Sequence, residues 1–173
     1  MRASAILTLL AATGVVAGSQ QSAPDTKLLA QLKQLFPSAT TFSAKSGEPP
    51  HYKIFTADSK GGQILTGLAF WTTELEPLER GFDGPIKVLV GMDTKGVLAG
   101  VIVTENHEPY GSWSVEPPEF AAQFRGKNIR DPFKVGGDID AVSRATMSIS
   151  SATRAVRNSS RRVARQLLQP PTP

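Results

Sequence analysis

Between residues 51 and 104 the chain twice runs into a strand-like segment, breaks at a short polar turn and runs back. His51 to Thr56 leads into Asp58-Ser59-Lys60-Gly61-Gly62 and then Gln63 to Thr72. Pro85 to Gly91 leads, around Asp93-Thr94-Lys95-Gly96, into Val97 to Thr104. Strand-forming runs split by such turn residues predict β-hairpins. The second turn fits a type I turn followed by a glycine at positive φ. Ile86, Val88 and Val90 recur at every second position, as do Val97, Ala99, Val101 and Val103. That period places one face of each strand on a core.

Helical spacing flanks the hairpins. Leu28, Leu29, Leu32, Leu35 and Phe36 predict an amphipathic helix over Thr26 to Phe36, capped by Asp25 or Thr26 and limited by Pro37. Pro117 to Phe124 predicts a short helix, capped best by Ser114 and ended by Gly126. Ile149, Ala152, Val156, Val163 and Leu167 line one side of a long C-terminal helix, with the arginines largely on the other. The expected class is α+β, an antiparallel sheet built as a meander of hairpins and packed against an N-terminal helix and a long C-terminal helix.

The two ends read differently from the middle. Arg2, the apolar run Ala3 to Val16 and the small residues Val16-Ala17-Gly18 predict a signal peptide over residues 1–18. The run is shorter than the ~20 residues of a membrane-spanning helix, so an exported soluble protein is expected, with an uncleaved anchor as the alternative. Residues 19–25 are expected to be a flexible lead-in and 26–168 the domain. The tail, residues 169–173, contains Pro170, Pro171 and Pro173 and is expected to be disordered. The chain has no cysteine, which excludes disulfides, thiolate-held iron–sulfur clusters and thioether-linked haem. The net charge of +4 sits largely in Arg154, Arg157, Arg161, Arg162 and Arg165. Without interleaved aromatics for base stacking, that run predicts a solvated helix face rather than a nucleic-acid surface.

The chemistry concentrates in Asp140-Ala141-Val142-Ser143-Arg144-Ala145-Thr146, just ahead of the long helix, with Ser148, Ser150 and Ser151 following. Unpaired N–H groups and a partial positive charge make a helix N-terminus suited to phosphate. The competing reading is that these hydroxyls only cap the helix. If Ser148 or Ser150 starts the helix, Thr146 stands just outside it and both readings hold together.

Asp140, Ser143, Ala145 and Thr146 resemble the Asp-x-x-Ser/Thr-x-Ala-Thr motif of the FMN-binding domain family, found in RnfG, NqrC and NosR-type proteins. Arg144 stands where RnfG and NqrC usually have glycine, and Ser-Arg-Ala-Thr is similar to the NosR branch. The resemblance covers roughly Gly81 to Arg162. It implies FMN as cofactor, joined by a phosphoester to Thr146 through a flavin transferase of the ApbE type. Ser143, Ala145 and the backbone at Met147 and Ser148 would surround the phosphate, Arg144 would belong to the same cofactor site, and Asp140 would serve transferase recognition or hold the loop.

Two further loops are similar to the family's pocket walls. Gly81-Phe82-Asp83-Gly84-Pro85 resembles its Gly-aromatic-x-Gly sequence beside the flavin, with Gly84 and Pro85 carried over; read alone, the segment is a glycine turn. Glu108-Pro109-Tyr110-Gly111 resembles its Glu-x-Pro-Gly loop, with Tyr110 inserted. Tyr110 or Trp113 is placed to stack on or edge a flavin ring, Trp113 being read as a half-buried loop aromatic. A hydrolase built from His107, Glu108 or Asp140 with Ser143 or Thr146 lacks the glycine-flanked nucleophile turn. The expected function is an exported electron-transfer domain with no substrate of its own. Its redox partner is unknown, a membrane-bound one being among the candidates, and a connection to nitrous-oxide-reductase-type respiratory chains is expected. The alternative is a module that holds FMN or another anion noncovalently without a redox role.

Overall fold

The computed structural model describes residues 23–168. The segments expected to be a signal peptide and a disordered tail, and most of the expected lead-in, lie outside the described residues. Helix α1 (Thr26–Leu35) is followed by β1 (Thr41–Phe42), β2 (Tyr52–Ala57), β3 (Gln63–Trp71), the turn-length α2 (Thr72–Leu75), β4 (Lys87–Asp93) and β5 (Leu98–Glu105). Then come α3 (Gly111–Ser114), α4 (Pro118–Ala122) and the long α5 (Thr146–Val163), which runs on as a π-helical turn over Ala164–Leu168.

The five strands lie in sequence order, every neighbour antiparallel. This is the α+β meander that the hairpin signals predict. Asp93 accepts from Gly96 N–H at 3.2 Å and Gly96 has φ +80°, as the turn chemistry requires. At the other end, Asp25 Oδ1 accepts from Leu28 N–H at 2.8 Å, so the end of the lead-in is the N-cap of α1. The two-residue β1 has no counterpart among the sequence expectations, and Thr72 leaves the strand to begin α2.

Helices cover both faces of the sheet, not one. Leu68, Phe70, Val88, Val90, Met92, Leu98 and Val101 pack with Ile149, Ala152 and Val156 of α5 and with Phe120 and Phe124. Ala69 and Leu89 point the other way, to Leu32, Leu35 and Phe36 of α1. Strand β4 is therefore apolar at successive positions, as a doubly covered strand is. Simple alternation fails in β5 as well. A bulge lies where Gly91 pairs with Gly100 but Met92 pairs with Leu98. The extra residue puts Leu98 and Val101 on the α5 side, although an odd number of positions separates them, while Ala99 packs toward α1.

Phe36 is seated on a floor of glycines. A Cβ at Gly67 would lie 2.6 Å from Phe36 Cε1 and 2.8 Å from the Met92 carbonyl oxygen. Gly67→Ala is expected to cost about 2 kcal/mol by overpacking, read as a lower urea midpoint with an unchanged slope.

Two sequence expectations about the helices are corrected. The short helix begins at Pro118 with no side-chain cap, because Ser114 belongs to α3 and donates to Tyr110 O at 2.8 Å. The α5 arginines are not a merely solvated face. Arg161 donates to Ile129 O and Asp131 O, both at 2.8 Å, and Arg162 donates to Leu75 O at 3.0 Å. Arg154 pairs with Glu79 at 2.6 Å. These bonds tie two loops and the end of α2 to α5, which is buried on more of its circumference than its apolar stripe alone, including Ser151, Ser159 and Ser160.

Candidate functional site

The N-terminus of α5 is where sequence and structure converge. Ala145 is the N-cap, and no side chain caps the helix. Ala145 O accepts the first helical bond, from Ile149 N–H at 3.0 Å. The N–H groups of Thr146, Met147 and Ser148 precede that bond and have no partner within the helix. Thr146 is the first helical residue rather than a neighbour outside the helix, which corrects the expectation that Ser148 or Ser150 begins it. The capping reading of the hydroxyls also fails, because Ser148 turns its hydroxyl away from the backbone to the carboxylate of Glu108.

The preceding turn explains the approach. Ala145 N–H donates to Val142 O at 3.1 Å, closing a four-residue turn. Its third residue, Arg144, has φ +68°. Glycine takes that conformation freely, whereas a residue with a Cβ holds it at a cost of about 1 kcal/mol. A glycine at this position in a related sequence thus has a backbone reason.

Above this helix end lies a cavity of about 400 Å³ lined by Phe82, Pro109, Tyr110, Arg144, Ala145, Thr146, Met147 and Ser148. The volume suits a small-molecule cofactor. A second cavity of about 420 Å³ runs along β5 and α4 past Leu35, Val101 and Ala122. It is slightly larger, but it contains neither the open helix terminus nor the hydroxyl of Thr146, so the smaller one is the candidate site. Large apolar side chains stand exposed around that site: Phe82 at 69%, Met147 at 59% and Tyr110 at 41%. Trp113 is 73% exposed, not half-buried as expected; it backs Tyr110 at 6.0 Å between ring centroids and does not line the cavity.

Glu108 builds the cavity from beneath. It is 7% exposed and accepts from Phe82 N–H and Asp83 N–H, each at 3.0 Å, and from Ser148 Oγ–H. One carboxylate thereby joins the 81–84 turn, the 106–111 loop and the first turn of α5. A Cβ at Gly81 would overlap this carboxylate, so the glycine is required by close approach. Burial alone pushes the Glu108 carboxyl up, but the hydrogen bonds from Ser148, Phe82 and Asp83 outweigh it and hold it below its ordinary value. The anion also complements the partial positive charge of the α5 terminus.

Of the residues singled out from sequence, Arg144, Ala145, Thr146, Met147, Ser148, Pro109 and Tyr110 meet at the cavity. Ser143 and Asp140 do not line it. Both are exposed, and Asp140 N–H donates to Gln123 Oε1 at 2.6 Å, a loop-holding contact. Gly84, at φ +110°, closes its turn by accepting from Gly81 N–H at 2.8 Å, and Pro85 follows outside the lining. Gly111 is the buried start of α3, tight against Asn106. Glu108 supports the wall rather than facing the cavity. Phe82 was not among the expected site residues, though its signal was the aromatic of the Gly-aromatic-x-Gly turn.

These features fit a phosphate ester that carries a flat aromatic ring. A phosphate suits the open N–H groups and Arg144, and a flat ring suits the exposed apolar walls.

Comparison with known proteins agrees with that geometry. Residues 81–160 match the family described as FMN-binding domain. A stretch of 88 residues is 31% identical to one subunit of the ion-translocating oxidoreductase complex of Vibrio vulnificus (strain YJ016), covering 45% of this chain and 42% of that subunit. The chain thus spans less than half the length of the relative it matches. Among the described residues no helix is long and apolar enough to cross a membrane.

Proposed function

Because residues 81–160 match the FMN-binding domain family, we propose that the domain is an exported electron-transfer module. In this reading it carries FMN through a phosphoester between the flavin phosphate and Thr146 Oγ. The observation that carries the reading is the uncapped start of α5, which offers the N–H groups of Thr146, Met147 and Ser148 beside an exposed hydroxyl. An ester at that oxygen lies against the positive end of an 18-residue helix. FMN supplies one- and two-electron redox chemistry when bound; the protein's part is placement. Phe82, Tyr110 and Met147 supply apolar walls for the ring, and Glu108 keeps the Phe82 turn pressed toward α5.

The relative's name, a subunit of an ion-translocating oxidoreductase complex, supports an electron-transfer role. Partners under this reading are a flavin transferase and a redox protein outside the cytoplasm, at the membrane or free of it. Arg144 in the turn before Ala145 and Thr146 favours the NosR-like branch.

The test is intact mass after coproduction with a flavin transferase. The expected gain is one FMN less one water, with yellow colour that survives denaturation and precipitation. An unchanged mass with a transferase that loads a control substrate would overturn the tether. Colour lost on denaturation would favour noncovalent FMN.

A further inference from the structure

We propose that Arg144 is the counter-ion of the FMN phosphate, the side chain by which this domain distinguishes FMN from flavins that lack a phosphate. The inference rests on the FMN reading above but not on the covalent bond. Among the described residues lining the cavity, Arg144 alone is charged. Arg144 is exposed, and no carboxylate among the described residues pairs with it. Its backbone sits at φ +68°, a conformation that glycine adopts more cheaply. An arginine held in a strained turn, with no structural partner, at the mouth of a cavity is explained by a ligand.

The electrostatics at the floor favour such a group. Glu108 already places a buried negative charge against the first turn of α5, bonded to Ser148. That anion draws on the same partial charge a phosphate would use. A second anion at this terminus is disfavoured by like-charge repulsion unless a cation accompanies it. Arg144, two residues before Thr146 and lining the same cavity, supplies the planar fork that matches phosphate oxygens.

The experiment uses the full chain produced without a transferase, titrated with FMN and with riboflavin at low and high salt, following flavin fluorescence. Arg144→Gln is expected to weaken FMN about tenfold, the scale of one charge-assisted hydrogen bond. Riboflavin binding should be unchanged, and the salt dependence of FMN binding should shrink. Arg144→Gly should weaken FMN in the same way yet raise the melting temperature by about 2 °C, since the turn strain is relieved. A merely structural arginine would not give those opposite signs. Equal weakening of FMN and riboflavin, unchanged FMN affinity, or no FMN binding by the unaltered chain would each overturn the proposal. Intact mass after transferase treatment reports separately on the tether, so the two readings fail independently.

Discussion

Glu108→Ala is expected to destabilise the domain by about 3 kcal/mol and to lower its melting temperature by about 10 °C. Truncation leaves Phe82 N–H, Asp83 N–H and Ser148 Oγ–H without their shared acceptor. Hydrogen bonds to a charged group are worth more than neutral ones, and orphaned donors carry a desolvation cost. The turn is at the surface, so water recovers part of the loss once the loop lifts. That lifting is itself an expected result: Phe82 leaves the cavity wall and flavin affinity falls with stability. Glu108→Gln keeps the volume but turns an amide donor toward one of the backbone N–H groups, so it should lie between wild type and Ala.

The pH dependence follows from the same carboxylate. Its folded value lies below its ordinary one, so its contribution is fully present above the unfolded carboxylate range, about 4.3. It is lost as pH falls through the folded value. Glu108→Gln should therefore be less acid-sensitive than wild type, by urea unfolding at neutral and acid pH. Parallel pH profiles for the two would show that the carboxylate is not the titrating group.

Much of the fold was legible because its signals are local. The Asp93 to Gly96 turn and the Asp25 cap each need only a few adjacent residues, and both stand as read. The side of the sheet that each β5 residue faces was not legible, because the bulge depends on how Gly100 pairs with Gly91 across the ladder. The covering of both faces likewise depends on where α1 docks. At the site, motif residues converge at the start of α5, yet the sequence offers hydroxyls at Ser143, Thr146, Ser148 and Ser150 without ranking them as caps. Only the fold shows that Ser148 is committed to Glu108, forty positions away, and that the cap is the poorly capping Ala145. The arginines of α5 misled for a similar reason: their acceptors are carbonyls of a distant loop and of the end of α2, which no periodicity reveals.

Thr146→Val is expected to abolish covalent flavin completely, not to reduce it, because no nearby serine can take its place. Ser148 lines the same cavity but is buried and donates to Glu108. Ser143, the second residue of the turn that Val142 and Ala145 close, lies outside the lining. Valine is close in shape and keeps the helix start, so fold and noncovalent FMN binding should persist while the mass gain disappears. Thr146→Ser restores an oxygen at the same backbone position, beside the same unpaired N–H groups, and should recover the adduct at least in part. Serine lacks the methyl group that narrows the choice of rotamer, so slower loading than wild type is expected. The three proteins, coproduced with one transferase and compared by intact mass, separate the possibilities. Flavin retained on Thr146→Val would move the attachment to another residue, and peptide mapping would then name it. Loss on both variants would show that the methyl group, as well as the oxygen, is required at the attachment point.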